Sequence, residues 1–309
     1  MDIFLQQLIN GVVLGAIYAL VALGYTMVYG ILGLINFAHG EVVMIGAMVA
    51  LTVIQMLVAS GIALPGPVIA ALGLLAAMPV CMALGYAIER VAYRPLRGAP
   101  RLAALITAIG MSILLQNAAM IVWGRQYHSF PALLPAAPHQ FAGATINDLQ
   151  IFIVLLAAAM MVALLWLVHR TRLGRAMRAT SENPEIAGLM GVNINTVISI
   201  TFVVGSALAA VAGVMISAYY GVAHYFMGFM LGLKAFTAAV LGGIGNLAGA
   251  MLGGLLLGLI ESLGAGYIGA LTGGILGSHY QDVFAFLVLI LVLVFRPSGL
   301  LGERVAERA

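Results

Sequence analysis

The chain has 309 residues, of which 63% are hydrophobic and 7% charged, with a formal net charge of +3. Globular domains carry about 25% charged residues, so a soluble enzyme or binding domain is excluded and the chain reads as an integral membrane protein. The basic residues gather beside apolar runs, where they report orientation and not nucleic-acid binding. Segments alternating with period 2 between turns are absent, which argues against a β-barrel, whereas 38 glycines suit helices packed closely in lipid. Cys81, the only cysteine, lies in an apolar run, so neither a disulfide framework nor a thiolate metal cluster is expected.

Apolar runs cover residues 8–30, 40–59, 66–88, 102–123, 149–168 and 196–218, followed by a long tract over 225–263 and a last run near 280–295. The simple runs are close to the roughly 20 residues that a bilayer core requires. No Lys or Arg precedes the first run, so a cleavable signal peptide is not expected and this span should remain in the mature protein. On it, Gly11, Gly15, Tyr18, Ala22, Tyr25 and Tyr29 share one helical face. Such a face either borders a passage for an apolar solute or anchors the span at the interface through its tyrosines.

Between the first two spans runs Leu34-Ile35-Asn36-Phe37-Ala38-His39-Gly40-Glu41, placed by this reading at a cytoplasmic junction. Ionisable groups in apolar surroundings are functional candidates because leaving them in lipid costs several kcal/mol, so Asn36, His39 and Glu41 are candidates for the translocation path or its gate. In the structural alternative, Glu41 complements the dipole of the second span while Asn36 or His39 caps backbone groups. One histidine and one carboxylate make a poor metal set. In the fourth span Ser112, Gln116 and Asn117 are expected to hydrogen-bond to neighbouring helices.

Arg90, Arg94, Arg97 and Arg101 place the loop after the third span in the cytoplasm, and Arg170, Arg172, Arg175 and Arg178 do so for the loop after the fifth. The N-terminus then faces outward, and 124–148 is the main periplasmic loop, a connector or a docking surface. The cytoplasmic loop 169–195 is the longest polar interruption, and its second half reads as a short helix. Asn183 is the N-cap, Pro184 the first helical residue, Glu185 the dipole partner and Gly191 the left-handed stop. Ile186, Leu189 and Met190 share one face of this helix, which either docks a partner or rests on lipid beside snorkelling arginines.

The tract 225–263 carries turn-forming residues at its centre, Leu241-Gly242-Gly243-Ile244-Gly245-Asn246. With Arg296, Arg304 and Arg308 marking a cytoplasmic tail over 296–309, the number of crossings is odd, and the tract must cross twice or enter and return. Broken backbone at membrane depth needs cover from protein or a water-filled cavity, so Gly243, Gly245 and Asn246 point to a pathway or to a tight helix contact. Gly245, Gly249 and Gly253, then Gly254 and Gly258, recur every four residues and favour packing over ligand contact. Lys234 and Glu261, near the ends of their apolar segments, are each able to snorkel. Lys234 is the only lysine and stands outside any G-x-x-x-x-G-K-[ST] phosphate loop, so ATP hydrolysis by that route would need another chain.

INFAHGEVVMIGA, IERVAYRP at 88–95, KAFTAAVLGGIG at 234–245 and RPSGLLG at 296–302 together resemble the inner-membrane permease of high-affinity branched-chain amino acid ABC importers, the LivH-type family. Within the loop, Glu185, Ala187 and Gly191 match the E-A-A-x-x-x-G coupling motif of bacterial importer permeases, with Ile186 in place of the central alanine and no I-x-L-P continuation. The resemblance implies one transmembrane permease domain over 1–309, multi-pass in the bacterial inner membrane. Its expected partners are a second related permease, two cytoplasmic ATPase subunits that bind the ATP and magnesium, a periplasmic amino-acid-binding protein and lipid, with no nucleic acid and no cofactor in this chain. It also implies an ATPase-coupling role for Glu185, Ile186, Ala187, Leu189, Met190 and Gly191. The expected fold is an all-α polytopic transmembrane bundle with a broken or re-entrant helix pair in its C-terminal half, crossing seven times plus the re-entrant pair or nine times. Two rivals are a self-sufficient secondary transporter coupling ions through His39, Glu41 or Glu261, and a membrane scaffold or enzyme subunit, for which no nucleophile, base and orienter arrangement is visible.

Overall fold

A computed structural model describes residues 2–61, 63–134, 137–141, 143–273 and 280–302; Arg304 and Arg308 of the expected tail lie outside them. It is a helical bundle, and seven of its helices are long and apolar enough to cross a membrane. The helices are α1 (Asp2–Leu32), α2 (His39–Ala59), α3 (Gly66–Ile88), α4 (Arg101–Trp123), α5 (Asp148–Arg170), α6 (Arg172–Glu182), α7 (Pro184–Leu189), α8 (Ile194–Tyr220), α9 (Met227–Gly242), α10 (Leu247–Leu271) and α11 (Gln281–Phe295). Helix α3 runs on through a π turn over Glu89–Tyr93 and a 3₁₀ turn over Arg94–Leu96. Four short strands complete the described chain: β1 (His128–Ser129), β2 (Pro138–Phe141), β3 (Ala144–Asn147) and β4 (Val222–Ala223).

Helix α1 is apolar all round, the pattern of a helix enclosed by others, and it is the axis of the bundle, with 94% of its most apolar window buried. It packs antiparallel to α10 through glycine. A Cβ on Gly258 would lie 2.2 Å from the Gly15 nitrogen, and one on Gly254 would lie 2.4 Å from the Ala19 Cα. Small residues let the two backbones approach where lipid supplies no hydrophobic drive for helix association. The glycine ladder is therefore a packing surface. Continuing it, Gly253 meets Ala238 of α9 and Gly249 meets Gly242.

This packing corrects the view of Tyr18 and Tyr25 as interface anchors. Tyr18 and Tyr25 are buried: the Tyr18 Oη donates to Glu261 Oε2 at 2.9 Å, and Tyr25 meets the His39 ring edge-on at 4.9 Å between centroids. By contrast α3, α4 and α5 bury only 28% of their apolar windows and keep wide apolar outer faces.

On the side opposite the polar loop, β2 and β3 form a hairpin and β1 pairs antiparallel with β4, tying the 124–148 segment to the turn after α8. Helix α5 starts from a reciprocal cap that its Asn-x-x-Gln sequence announces. The Asn147 side chain accepts from the Gln150 amide at 2.9 Å, and Gln150 Oε1 accepts from the Asn147 amide at 3.0 Å.

The tract 225–263 is interrupted between Gly242, the last residue of α9, and Leu247, the first of α10. Gly243 and Gly245 hold φ of +108° and +97°, values that favour glycine. Cover for the interruption comes from the chain's own tail. Leu300 and Leu301 amides donate to the carbonyls of Leu241 and Gly242, each at 2.9 Å, and Asn246 Nδ2 donates to the Leu301 carbonyl at 2.9 Å. The exposed carbonyls at the end of α9 are thereby satisfied. A Cβ on Gly243 would lie 2.3 Å from the Gly302 nitrogen. Gly243→Leu is accordingly expected to lift the tail off α9, and hydrogen exchange at Leu300 and Leu301 reads the change. Protection as strong as in the wild type would refute the fit.

Candidate functional site

Among the described residues, two of the places singled out by the sequence carry polar chemistry without an evident purely structural role. The first is a seam inside the bundle, built by residues 34–41. After α1 ends at Leu32 the chain turns back into the protein, so that α2 begins against Gly24 and Tyr25, about two turns before the end of α1. His39 inserts into the notch that Gly24 leaves, where a Cβ would lie 2.2 Å from His39 Nε2. Gly40 lies as tightly on Gly228 and Gly232 of α9. The run joins the first two spans as expected, and the structure adds that Asn36, His39 and Glu41 are all buried.

In the structural alternative Glu41 does lie in the first turn of α2, where it complements the dipole, but the capping by Asn36 or His39 is corrected. The N-cap of α2 is Ala38, and no side chain caps the helix. Instead Asn36 Oδ1 accepts from the Tyr93 Oη at 3.1 Å, and Glu41 Oε1 accepts from Gln116 Nε2 at 2.7 Å and Ser112 Oγ at 3.0 Å. Ser112 and Gln116 thus bridge helices, whereas Asn117 turns back to its own helix and donates to the Ile113 carbonyl. Glu41 Oε2 and His39 Nε2 are buried with no hydrogen-bond partner in the described chain. An unpaired buried polar atom costs about 1–3 kcal/mol, so these two atoms mark the seam as a candidate site.

Gly243, Gly245 and Asn246 do not join that seam. They belong to the tail contact, and Gly245 also borders a small cavity of about 90 Å³ between α1, α5, α6 and α8, lined by Thr26, Gly30, Arg178 and Thr201.

The second place is the polar loop. Its first half, for which the sequence reading assigned no element, is helix α6. Thr171 supplies the missed signal, because its side chain caps the helix by accepting from the Gly174 amide at 3.0 Å. Arg178 donates to the Val168 carbonyl at the end of α5 and so closes the α5–α6 corner. Helix α7 follows as the capping residues predict. Asn183 Oδ1 accepts from the Ile186 amide at 3.0 Å, and Gly191 stops the turn at φ +86°. Ala187 faces inward and is buried, while Ile186, Leu189 and Met190 are 58%, 88% and 81% exposed. The helix thus presents a bare apolar tip.

A third polar group escaped the sequence reading. Lys234 and Glu261 do not snorkel: Lys234 Nζ lies 2.8 Å from Glu261 Oε1 and 2.7 Å from Asp282 Oδ1, and Glu261 also takes the Tyr18 hydroxyl. One cation thereby ties α9, α10 and α11 to α1. Only the spatial return of α11 reveals the set, because Asp282 is far from Lys234 in the chain.

The family described as "Branched-chain amino acid transport system / permease component" matches residues 7–293. The chain belongs to that family. It is 50% identical to the high-affinity branched-chain amino acid transport system permease protein BraD of Pseudomonas aeruginosa, over 99% of this chain and 98% of the relative. It is 47% identical to the corresponding LivH protein of Escherichia coli, over 99% of this chain and 97% of the relative. A more distant relative, the autoinducer 2 import system permease protein LsrC of Escherichia coli, is 30% identical over 63% of this chain and 56% of its own length. Family membership and the membrane-length helices together make the chain a multi-pass membrane protein, a transport subunit and not an enzyme.

Proposed function

We propose that this permease component serves an ATP-binding-cassette importer of the bacterial inner membrane, moving leucine, isoleucine, valine or related amino acids. The observation that carries the coupling part is α7, a capped helix that leaves Leu189 and Met190 almost bare. Two turns of helix with an apolar tip are marginal alone and suit a groove on a partner. The reading gives that partner as a cytoplasmic ATPase, which holds the ATP and magnesium. The N-terminus is then outside and the α6–α7 side cytoplasmic, as the arginine bias after α3 and α5 favours. A second related permease and a periplasmic binding protein complete the importer. Substrate choice rests on the names of BraD and LivH; the likeness to LsrC, named for a different solute, fits a solute set largely by the binding protein.

In this reading ATP-driven movement of α7 biases a two-state bundle. The seam of Asn36, His39 and Glu41 is its gate, since repacking α2 against α4 and α9 offers partners to Glu41 Oε2 and His39 Nε2. The interruption at Gly243–Asn246, with its neighbouring cavity, is the mobile cytoplasmic end of the path.

Leucine uptake into proteoliposomes tests the proposal. Uptake is expected only with ATP, the ATPase subunits and the binding protein, and to survive a protonophore. Uptake by this chain alone, collapsed by the protonophore, would overturn it in favour of ion coupling.

A further inference from the structure

Where α3 ends and α8 begins, the molecule holds a cavity that the transport reading does not use. It is an open pocket of about 490 Å³, and its walls include Tyr86, Arg90, Arg94, Asn193, Ile200 and Val203. Both helices are membrane-length spans, so their adjoining ends fall at the level of lipid headgroups on the α6–α7 side of the protein.

The charge on this wall is unbalanced. Glu89 is fully buried and engaged: Arg94 Nη2 donates to its Oε2 at 2.9 Å, Ser199 Oγ donates to the same oxygen at 2.8 Å, and Arg97 donates to Oε1. Arg97 also reaches Asn195 Oδ1. One carboxylate therefore offsets one of the three cations Arg90, Arg94 and Arg97. Arg90 is exposed and lines the cavity beside Arg94 with no acceptor in the described chain. Below this basic rim the wall turns apolar, with the half-exposed Tyr86 ring, Ile200 and Val203 running along the spans. A small soluble anion would use the rim and waste the apolar wall, whereas a lipid fits both.

We propose that this cavity binds an anionic phospholipid of the leaflet on the α6–α7 side, its phosphate between Arg90 and Arg94 and an acyl chain along Tyr86, Ile200 and Val203. The Arg90 guanidinium suits the phosphate because its planar fork is free to donate two parallel hydrogen bonds, whereas Arg94 spends its Nε and Nη2 on Glu89 and adds its charge and remaining N–H groups. Basic pockets between spans are a known form of headgroup recognition. The site borders the turn after the coupling helix through Asn193, and its occupancy by lipid does not depend on the solute.

The test uses the full chain with its co-purifying partners in nanodiscs of phosphatidylcholine alone, or of phosphatidylcholine and phosphatidylglycerol in equal parts. After transfer to detergent, native mass spectrometry counts the lipid retained. Phosphatidylglycerol is expected to stay bound in preference to phosphatidylcholine. Arg90→Gln is expected to lower that retention roughly fivefold, the effect of one arginine near an anionic surface, while Arg90→Lys keeps most of it. Because Arg90 is exposed, the variants are expected to melt as the wild type does. Equal retention of the two lipids, or an Arg90→Gln protein that retains phosphatidylglycerol normally, would refute the site. If inorganic phosphate displaces the retained phosphatidylglycerol and stabilises the delipidated complex equally well, the cavity is a free-anion site and the lipid assignment fails.

Discussion

Replacing Leu189 and Met190 together by aspartate is expected to abolish ATP-driven leucine uptake, by about a hundredfold or more, while the protein inserts and melts like the wild type. Both side chains are more than four-fifths exposed, so the change removes no packed contact within the chain, and such substitutions usually alter stability by about 0.5 kcal/mol or less. At a docking surface the same residues are central apolar anchors. Truncating one such anchor costs about 2 kcal/mol, and each 1.4 kcal/mol is about a tenfold change in affinity. Two anchors replaced by charges that must be desolvated therefore exceed the hundredfold loss. Co-purification of the ATPase subunits and uptake in proteoliposomes are the paired measurements. Normal uptake with normal ATPase retention would remove α7 from the coupling role. A variant that fails to insert would contradict the exposed placement of its tip.

Lys234→Met is expected to destabilise the protein by about 3 kcal/mol or more, the cost of leaving a buried charge without its partner. The lysine faces Glu261 and Asp282 at 2.8 and 2.7 Å, so its loss leaves two carboxylates facing each other beside the Tyr18 hydroxyl. The helices most affected are α9, α10 and α11, which this one cation draws together against α1. Neutralising all three groups, as Lys234→Met with Glu261→Gln and Asp282→Asn, is expected to restore most of the stability, because well-packed neutral residues often replace a buried ion pair at little cost. Thermal unfolding in detergent, followed by size-exclusion chromatography, distinguishes the three proteins. A single mutant that melts at the wild-type temperature would show that the cluster is not a tie, and a triple mutant no better than the single would assign the loss to packing of the lysine stem.

Local signals were legible wherever they needed no distant partner. The spans followed from apolar run length, and the cap of α7 from Asn183-Pro184 with Gly191. Glycine at 254 and 258 announced close packing before its partner on α1 was known. Long-range meaning was not legible. Tyr18 and Tyr25 resembled interface anchors because tyrosine on a span has that role when it faces headgroups, and only the ring of helices around α1 puts them inside. Asn36 and His39 resembled caps because they lie at the start of a helix, yet the turn of residues 33–38 delivers Asn36 to Tyr93 in the π turn after α3 and His39 to Tyr25 of α1. Helix α6 was missed because Thr171 as a cap is one short polar residue among many in a basic stretch.

What the sequence by itself determined is the solvent of this protein and the length of its elements, since transfer of apolar side chains and backbone polar groups into lipid is a property of each segment alone. Its likeness to a permease family was also carried in the order of a few local runs. The tertiary structure decided which polar groups are paired. Lys234 finds Glu261 and Asp282, Glu89 finds Arg94, Arg97 and Ser199, and the tail at Leu300 and Leu301 finds the open end of α9. In a low-dielectric interior the worth of a charge or an amide depends almost wholly on the partner within about 3 Å of it, and chain order does not reveal that partner.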